Sequence, residues 1–302
     1  MVLVVLLISS RALINAIDYL SIIYDSSSVC FRSINVISFG PQHPSTHGVP
    51  RLIAILYGEI IQWITPEIGL LHRGTEKLID LHYYNSSISY SDRFDHAPTT
   101  TQELLSIHAL EKLIGWYSNI YDSSQRSMFM EFYRIPNHCS AITTHAIDIG
   151  TFTTTLRAFD EREKLINFSE EIPGNRFHAA FLLIGRLRYD VSLRWIDCRI
   201  YWMIQSQRKL REVFTILPKS ELWVSRQYEI GIIERTYCSY SGFSGLLSRA
   251  SNILPDARLM GYEFYQCLDY PLSLGSKADC PDRYLSRFNE MIEECLLEFY
   301  LF

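Results

Sequence analysis

No two of the seven cysteines, at 30, 139, 198, 238, 267, 280 and 295, are close enough to make a C-x-x-C pair. That excludes the zinc, iron–sulfur and dithiol motifs built on paired cysteines. An odd number of widely spaced thiols fits reduced, mostly buried side chains in a reducing compartment. Long runs of like charge are missing too. With a net charge of -5 and no basic stripe, the chain lacks the footprint of a nucleic-acid binder. No apolar stretch reaches the roughly 20 residues that span a bilayer. The opening run, Met1 to Ile8, is too short, and its nearest cation, Arg11, stands on the wrong side for a secretory signal. It is read as a buried strand or a segment packed on a partner, with no cleavable targeting sequence expected. No internal repeat is visible, and no nucleophile elbow or Ser-His-Asp spacing supports a hydrolase.

What is present is globular: 48% hydrophobic and 20% charged residues, with 19 Tyr and 16 Phe to serve a large core or contacts with other subunits. Residues 1–33 read as an irregular N-terminal arm. Ile34 to Phe39 is β-prone. Arg51–Leu56 and Ile60–Ile64, with Tyr57-Gly58-Glu59 between them, predict a β-hairpin that ends at Thr65-Pro66-Glu67. Beyond Thr75 the pattern turns helical. Thr100 to Glu103 can make a capping box for a helix whose apolar face carries Leu104, Leu105, Leu110, Leu113 and Ile114, with Gly115 as its cap. A second helix is expected from Glu131 to Gly150, kinked or started by Pro136. Further helices are expected over Thr154–Phe168, Asp190–Leu217 and Pro281–Phe302. The last carries an apolar stripe at 284, 285, 288, 291, 292, 295, 296 and 299. The Gly-, Ser- and Tyr-rich stretch from Gly231 to Gly275 predicts loops and short strands. The fold class is therefore α+β: a small antiparallel β element over 34–72 followed by a mainly helical body over 73–302.

Three polar stretches stand out. Phe39 to Gly48 reads F-G-P-Q-H-P-S-T-H-G. Pro41 and Pro44 exclude a helix, so His43 and His47 are not a helical metal pair. The residues make a stiff loop that either holds two imidazoles at a site or uses them to satisfy backbone groups. Arg73 sits beside Gly74, where backbone can approach a ligand closely, or where an Arg can anchor a helix terminus. Ser89 to Pro98 carries Tyr90, Asp92, Arg93, Asp95 and His96, and forms a solvated turn or converges on a site; composition favours the turn.

Taken in order, F-G-P-Q-H-P-S-T-H-G, I-G-L-L-H-R-G-T-E-K-L-I, Y-S-D-R-F-D, E-K-L-I-G, T-T-H-A-I-D-I-G, A-F-D-E-R-E-K-L, R-F-H-A-A, G-F-S-G and D-C-P-D-R-Y resemble the quinone-site core subunit of respiratory complex I. That family in turn resembles the large subunit of nickel–iron hydrogenases. Asp95 and Pro98 stand where the hydrogenase pattern has metal-binding cysteines, so no soft metal centre is expected. The resemblance implies an enzyme active only in a multisubunit complex, an NADH:ubiquinone oxidoreductase that couples electron transfer to proton pumping. It implies no cofactor bound by this chain alone, and ubiquinone as substrate. A neighbouring subunit would hold a [4Fe-4S] cluster, with NAD and FMN elsewhere in the complex. It also implies contact with the terminal-cluster subunit and the membrane-arm quinone-channel subunit, on the matrix side of the mitochondrial inner membrane.

The resemblance also assigns residues. His47 is the headgroup donor and Asp148 its partner. Arg73 and His178 lie beside the partner's cluster, and His43 inherits no role. The family motif D-R-L-D-Y is D-R-F-D-H here, so His96 replaces the second headgroup donor, a tyrosine, and Tyr90 is a further candidate to reach the quinone. After Ala180, the family's R-P-G-G loop is replaced by Leu183-Ile184-Gly185-Arg186. The family continues beyond the D-R-Y helix, so either a separate polypeptide supplies that segment, as a further expected partner, or the subunit has diverged. A scaffold subunit of the same complex with impaired quinone chemistry is the alternative.

Overall fold

The computed structural model describes residues 34–41, 49–95, 97–178, 180–254 and 256–301. The expected arm over 1–33, the loop histidines His43 and His47, and His96 lie outside the described residues. The chain forms two compact units that divide after Arg73.

In the first unit, β1 (Ile34–Phe39), β2 (Arg51–Tyr57) and β3 (Ile60–Glu67) form an antiparallel sheet in sequence order. β1 pairs with β2 from Ile34↔Tyr57 to Phe39↔Leu52. β2 pairs with β3 from Tyr57↔Ile60 to Arg51↔Glu67, with a shift of register between Ile55 and Leu56. The hairpin turns on two residues, Gly58-Glu59, and Gly58 takes φ +65°, the left-handed value that primed hairpin turns require. The hairpin ends within the expected Thr65-Pro66-Glu67. β3 runs through Pro66, opposite Leu52, to Glu67. The sheet tolerates this because β3 is an edge strand, where a missing backbone N–H leaves no ladder partner wanting.

The second unit is helical. α1 (Thr75–Leu81), α2 (Tyr84–Ser91) and α3 (Thr99–Ile114) lead to the long α4 (Ile120–Ile149) and then α5 (Phe152–Glu171). A two-residue pair of strands, β4 (Leu182–Leu183) and β5 (Arg186–Leu187), turns at Gly185 before α6 (Leu193–Ile216). Among the described residues, short helices α7 (Glu221–Ser225), α8 (Arg235–Tyr240) and α9 (Leu246–Ala250) and three 3-10 turns precede α10 (Cys280–Leu301). Helix α4 is the spine, with α10, α5 and α3 packed along it. The aromatic centre of the core lies where Phe129 of α4 meets Phe181 and Trp195, at ring separations of 4.5 and 5.8 Å. Among the described residues, no helix is long and apolar enough to cross a membrane.

Several expectations are corrected by burial. Helix α4 begins at Ile120 and passes through Pro136. Its second turn buries polar residues, Ser123, Gln125, Arg126 and Ser127, with Arg126 ion-paired to Glu111 and Glu263, and so shows no apolar period. The buried face of α3 is Leu104, Ile107 and Leu110, while Leu105, Leu113 and Ile114 are exposed. Pro98 occupies the cap position of α3 without a side-chain cap bond, so the Thr100–Glu103 capping box does not form. Between Gly231 and Gly275 the described residues make short helices and 3-10 turns rather than strands. On α10 the stripe is buried at Tyr284, Phe288, Met291 and Cys295, whereas Leu285, Leu296 and Phe299 are exposed. Three glutamates, Glu290, Glu294 and Glu298, share the buried face instead.

Each of these three acids has a cation. Arg199 of α6 meets Glu298 in a fork at 2.9 and 2.8 Å, and its guanidinium lies 4.6 and 4.3 Å from the ring centres of Phe132 and Trp202. Arg249 holds Glu290 at 2.6 and 3.1 Å. Arg134 and His138 of α4 reach Glu294 at 3.1 and 3.0 Å. Removing one partner of such a pair strands a desolvated charge, whereas replacing both with apolar groups need not be costly. Arg199→Met is expected to destabilise the protein by about 3–5 kcal/mol, and adding Glu298→Leu to recover most of that. Denaturant midpoints of the two variants check it.

Candidate functional site

The turn that follows α2 is built from D-R-F-D. Tyr90, in the last turn of α2, is half-buried. Its hydroxyl lies 3.2 Å from Nε2 of His82, and the two rings stack at 5.6 Å. Asp92 follows and is fully buried. Arg93 donates to its Oδ1 at 2.6 Å, and to the carbonyl of Ser89. Burial pushes the Asp92 carboxyl above the usual range, against the pull of Arg93 and His178 towards the charged form. Asp95 is a local device: its Oδ1 accepts the backbone N–H of Ala97 at 3.1 Å, which closes the turn. The stretch is therefore more than a solvated turn, since Ser91 and Asp92 are both inside.

A second segment, R-F-H-A-A after α5, is tied to this turn. Nδ1 of His178 lies 3.2 Å from the carbonyl oxygen of Asp92. A carbonyl only accepts, so Nδ1 carries the proton and, in the neutral ring, Nε2 is left as the basic nitrogen. Thr99 Oγ1 donates to the Phe177 carbonyl at 3.3 Å. Glu103, instead of capping its own helix, crosses to this segment. Its Oε2 accepts the backbone N–H groups of Phe181 and Leu182, each at 3.0 Å. Its carboxyl is pushed up to about 7, first by burial, with Asp92 adding to the rise and the two amides opposing it.

Of the expected site residues, the structure thus ties His178 to the turn that follows Tyr90, with Asp92, Arg93 and Glu103 added. Asp148 stands on another element. It is exposed in the last turn of α4, two residues before Gly150, whose φ of 99° ends the helix. His145, one turn earlier, faces inward against Trp223 and Tyr284, and burial lowers it to about 4. Arg73 is exposed and is the last residue of the sheet unit. Among the described residues two clusters could offer metal ligands, His108 with Glu111 and Glu263, and His138 with Glu290 and Glu294. In the first, Arg126 already holds Glu111 at 2.7 Å and Glu263 at 3.0 Å. In the second, Arg134 and Arg249 do the same work. The positive charge that a cation would bring is already supplied.

Residues 148–297 match the family described as the respiratory-chain NADH dehydrogenase 49 kDa subunit. Over 267 residues the chain is 38% identical to an NADH-quinone oxidoreductase subunit of Ehrlichia ruminantium, covering 86% of this chain and 68% of that protein. The chain belongs to this family of 49 kDa subunits. It is also 39% identical over 256 residues to the NADH-ubiquinone oxidoreductase 49 kDa subunit of Reclinomonas americana, covering 84% of this chain and 65% of the relative. With the NADH dehydrogenase (ubiquinone) iron-sulfur protein 2 of Arabidopsis thaliana it shares 39% over 259 residues, 84% and 65% of the two chains. The chain thus spans just under two thirds of the length of the last two relatives.

Two of the family-like motifs turn out to build the scaffold. In E-K-L-I-G, Glu111 takes Arg126 in a fork and accepts the Gly185 N–H at 2.7 Å. In D-C-P-D-R-Y, Asp282 accepts the backbone N–H groups of Ser276, Lys277 and Ala278, which folds the preceding loop onto the start of α10. Glu103 escaped the sequence reading because an acid three residues into a helix is the ordinary mark of a cap. Tyr90→Phe removes only a partly exposed hydrogen bond and is expected to cost under about 1 kcal/mol. An unfolding midpoint close to that of the parent would then let any functional loss in this variant be read as chemistry.

Proposed function

We propose that this chain forms the ubiquinone headgroup site of a respiratory NADH:ubiquinone oxidoreductase. A quinone that takes two electrons develops charge on both oxygens, and donors must stabilise that charge and deliver protons. His47 is the donor to one oxygen, because imidazole titrates near working pH. Asp148 orients His47 and tunes its proton affinity. His96 serves the second oxygen in place of a tyrosine. It can donate as phenol does, but it is shorter and titrates several units lower, so the pH dependence should differ from that of a tyrosine-bearing relative. Tyr90 lines the same turn.

Arg73 and His178 lie beside the four-iron cluster of the neighbouring subunit, where a cation and an imidazole couple cluster reduction to protonation. NAD and FMN act elsewhere in the assembly. The quinone enters between this chain, the cluster-bearing subunit and the membrane-arm quinone-channel subunit. The complex lies in the mitochondrial inner membrane, its peripheral arm on the matrix side, and quinone reduction drives proton translocation.

One observation carries the reading beyond family membership. His178 Nδ1 bonds the Asp92 carbonyl at 3.2 Å. The residue assigned to the cluster side and the turn assigned to the headgroup side are therefore one hydrogen bond apart, close enough for a charge change at one to be felt at the other. In the assembled complex, His47→Ala is expected to lower quinone reductase turnover by about 10²-fold or more, as loss of a general acid does. Asp148→Asn is expected to lower it less, and His96→Tyr to keep or raise it. Unchanged turnover in His47→Ala, with assembly intact, would favour a scaffold role instead.

A further inference from the structure

Glu103 and Asp92 are both fully buried. They come from different elements, α3 and the turn after α2, and lie close enough for their charges to interact. Each has one oxygen engaged and one without a hydrogen-bond partner among the described residues: Oε1 of Glu103 and Oδ2 of Asp92. A buried bare carboxylate oxygen is costly, and two neighbouring carboxylates resist being charged together. The surroundings decide which of them stays charged. Asp92 has the guanidinium of Arg93 at 2.6 Å and His178 beside it. Glu103 is held by backbone amides, those of Phe181 and Leu182, and lies within electrostatic reach of the Tyr133 phenol of α4, itself pushed up by burial.

We infer that Glu103 is the proton-holding residue behind this site, carrying its proton on Oε1, with the Asp92 carboxylate setting when that proton leaves. The groups that face the pair are Arg93 on the turn, Tyr133 on α4 and His178 on the loop after α5. Release converts Glu103–COOH to the carboxylate that Phe181 and Leu182 already hold. Asp92 Oδ2, on the turn that follows Tyr90, is the adjacent buried acceptor. A gain of positive charge at His178 favours release; its loss favours recapture. The destination of the proton rests on the quinone reading above, whereas the proton-holding itself does not.

The sign of the linkage follows from the raised carboxyl. The folded chain binds this proton more tightly than the unfolded chain. The stability it lends is fully present below the ordinary 4.5 and is lost as pH rises through about 7.

Infrared pH-difference spectra of the full chain test the inference. A protonated-carboxyl band titrating near neutral pH is expected, and Glu103→Gln, which keeps an acceptor for Phe181 and Leu182, should abolish it. Asp92→Asn should move its midpoint down by about one pH unit, because a like charge has been removed. Absence of any band sensitive to Glu103→Gln, or a midpoint unmoved in Asp92→Asn, overturns the inference. In the assembled complex the pH profile of quinone reduction should shift in the same direction in Asp92→Asn. A band that behaves as expected beside an unmoved rate profile upholds the proton holder and counts against its service to the quinone.

Discussion

Guanidinium groups buried against carboxylates hold the helical body together. Arg126 sits between Glu111 and Glu263, Arg199 forks onto Glu298, and Arg249 and Arg134 serve the acids of α10. None of these pairs is a surface decoration, since each has at least one partner almost wholly withdrawn from water. Desolvation makes such pairs poor sources of net stability, yet breaking one is severe. Their effect is on which helix faces which. Helix α4 joins these networks along its length, with Arg126 near its start and Arg134 and His138 towards its middle.

How much of this was legible in the sequence follows from what kind of burial each segment has. Where apolar side chains fill the inner face, the period showed: α5, α6 and the existence of α10 were placed to within a few residues. The three strands were legible from their β-branched composition and the Gly58 turn, although β1 and β3 are largely exposed. Where burial is by ion pair the period vanished. The expected helix starts only at Glu131, although α4 begins at Ile120 and Ser123, Gln125, Arg126 and Ser127 are buried. Three of the five apolar residues expected on the inner face of α3, Leu105, Leu113 and Ile114, face outward, while Glu103 and Glu111 take inward positions that leucines would ordinarily hold. The Gly- and Tyr-rich stretch suggested strands, but acids and guanidiniums fix it as short helices: Asp256 binds the backbone and side chain of Arg258, and Arg249 holds Glu290.

The candidate site divides in the same way. Its residue types were visible, because His, Asp, Arg and Tyr crowded into short stretches are uncommon in a core. Their connections were not. His178 is tied to the turn through a backbone carbonyl, a partner with no signature in sequence. Glu103 reaches across 78 positions to the Phe181 amide, where spacing gives no guide. Two of the motifs, E-K-L-I-G and D-C-P-D-R-Y, bear architecture, through Glu111 on the Gly185 amide and Asp282 on the loop before α10.

The three inward glutamates of α10 fall at every fourth residue, and each answers to a different set of cations: Glu290 to Arg249, Glu294 to Arg134 and His138, Glu298 to Arg199. Adjacent residues of a helix are separated by roughly 100° around its axis. A turn of α10 by a single residue would therefore withdraw all three acids from all their partners at once. An apolar stripe alone would tolerate such slippage, because one leucine packs much like the next. The spaced charges work as the wards of a lock: they add little to how tightly α10 is held, and they leave it one azimuth against α4.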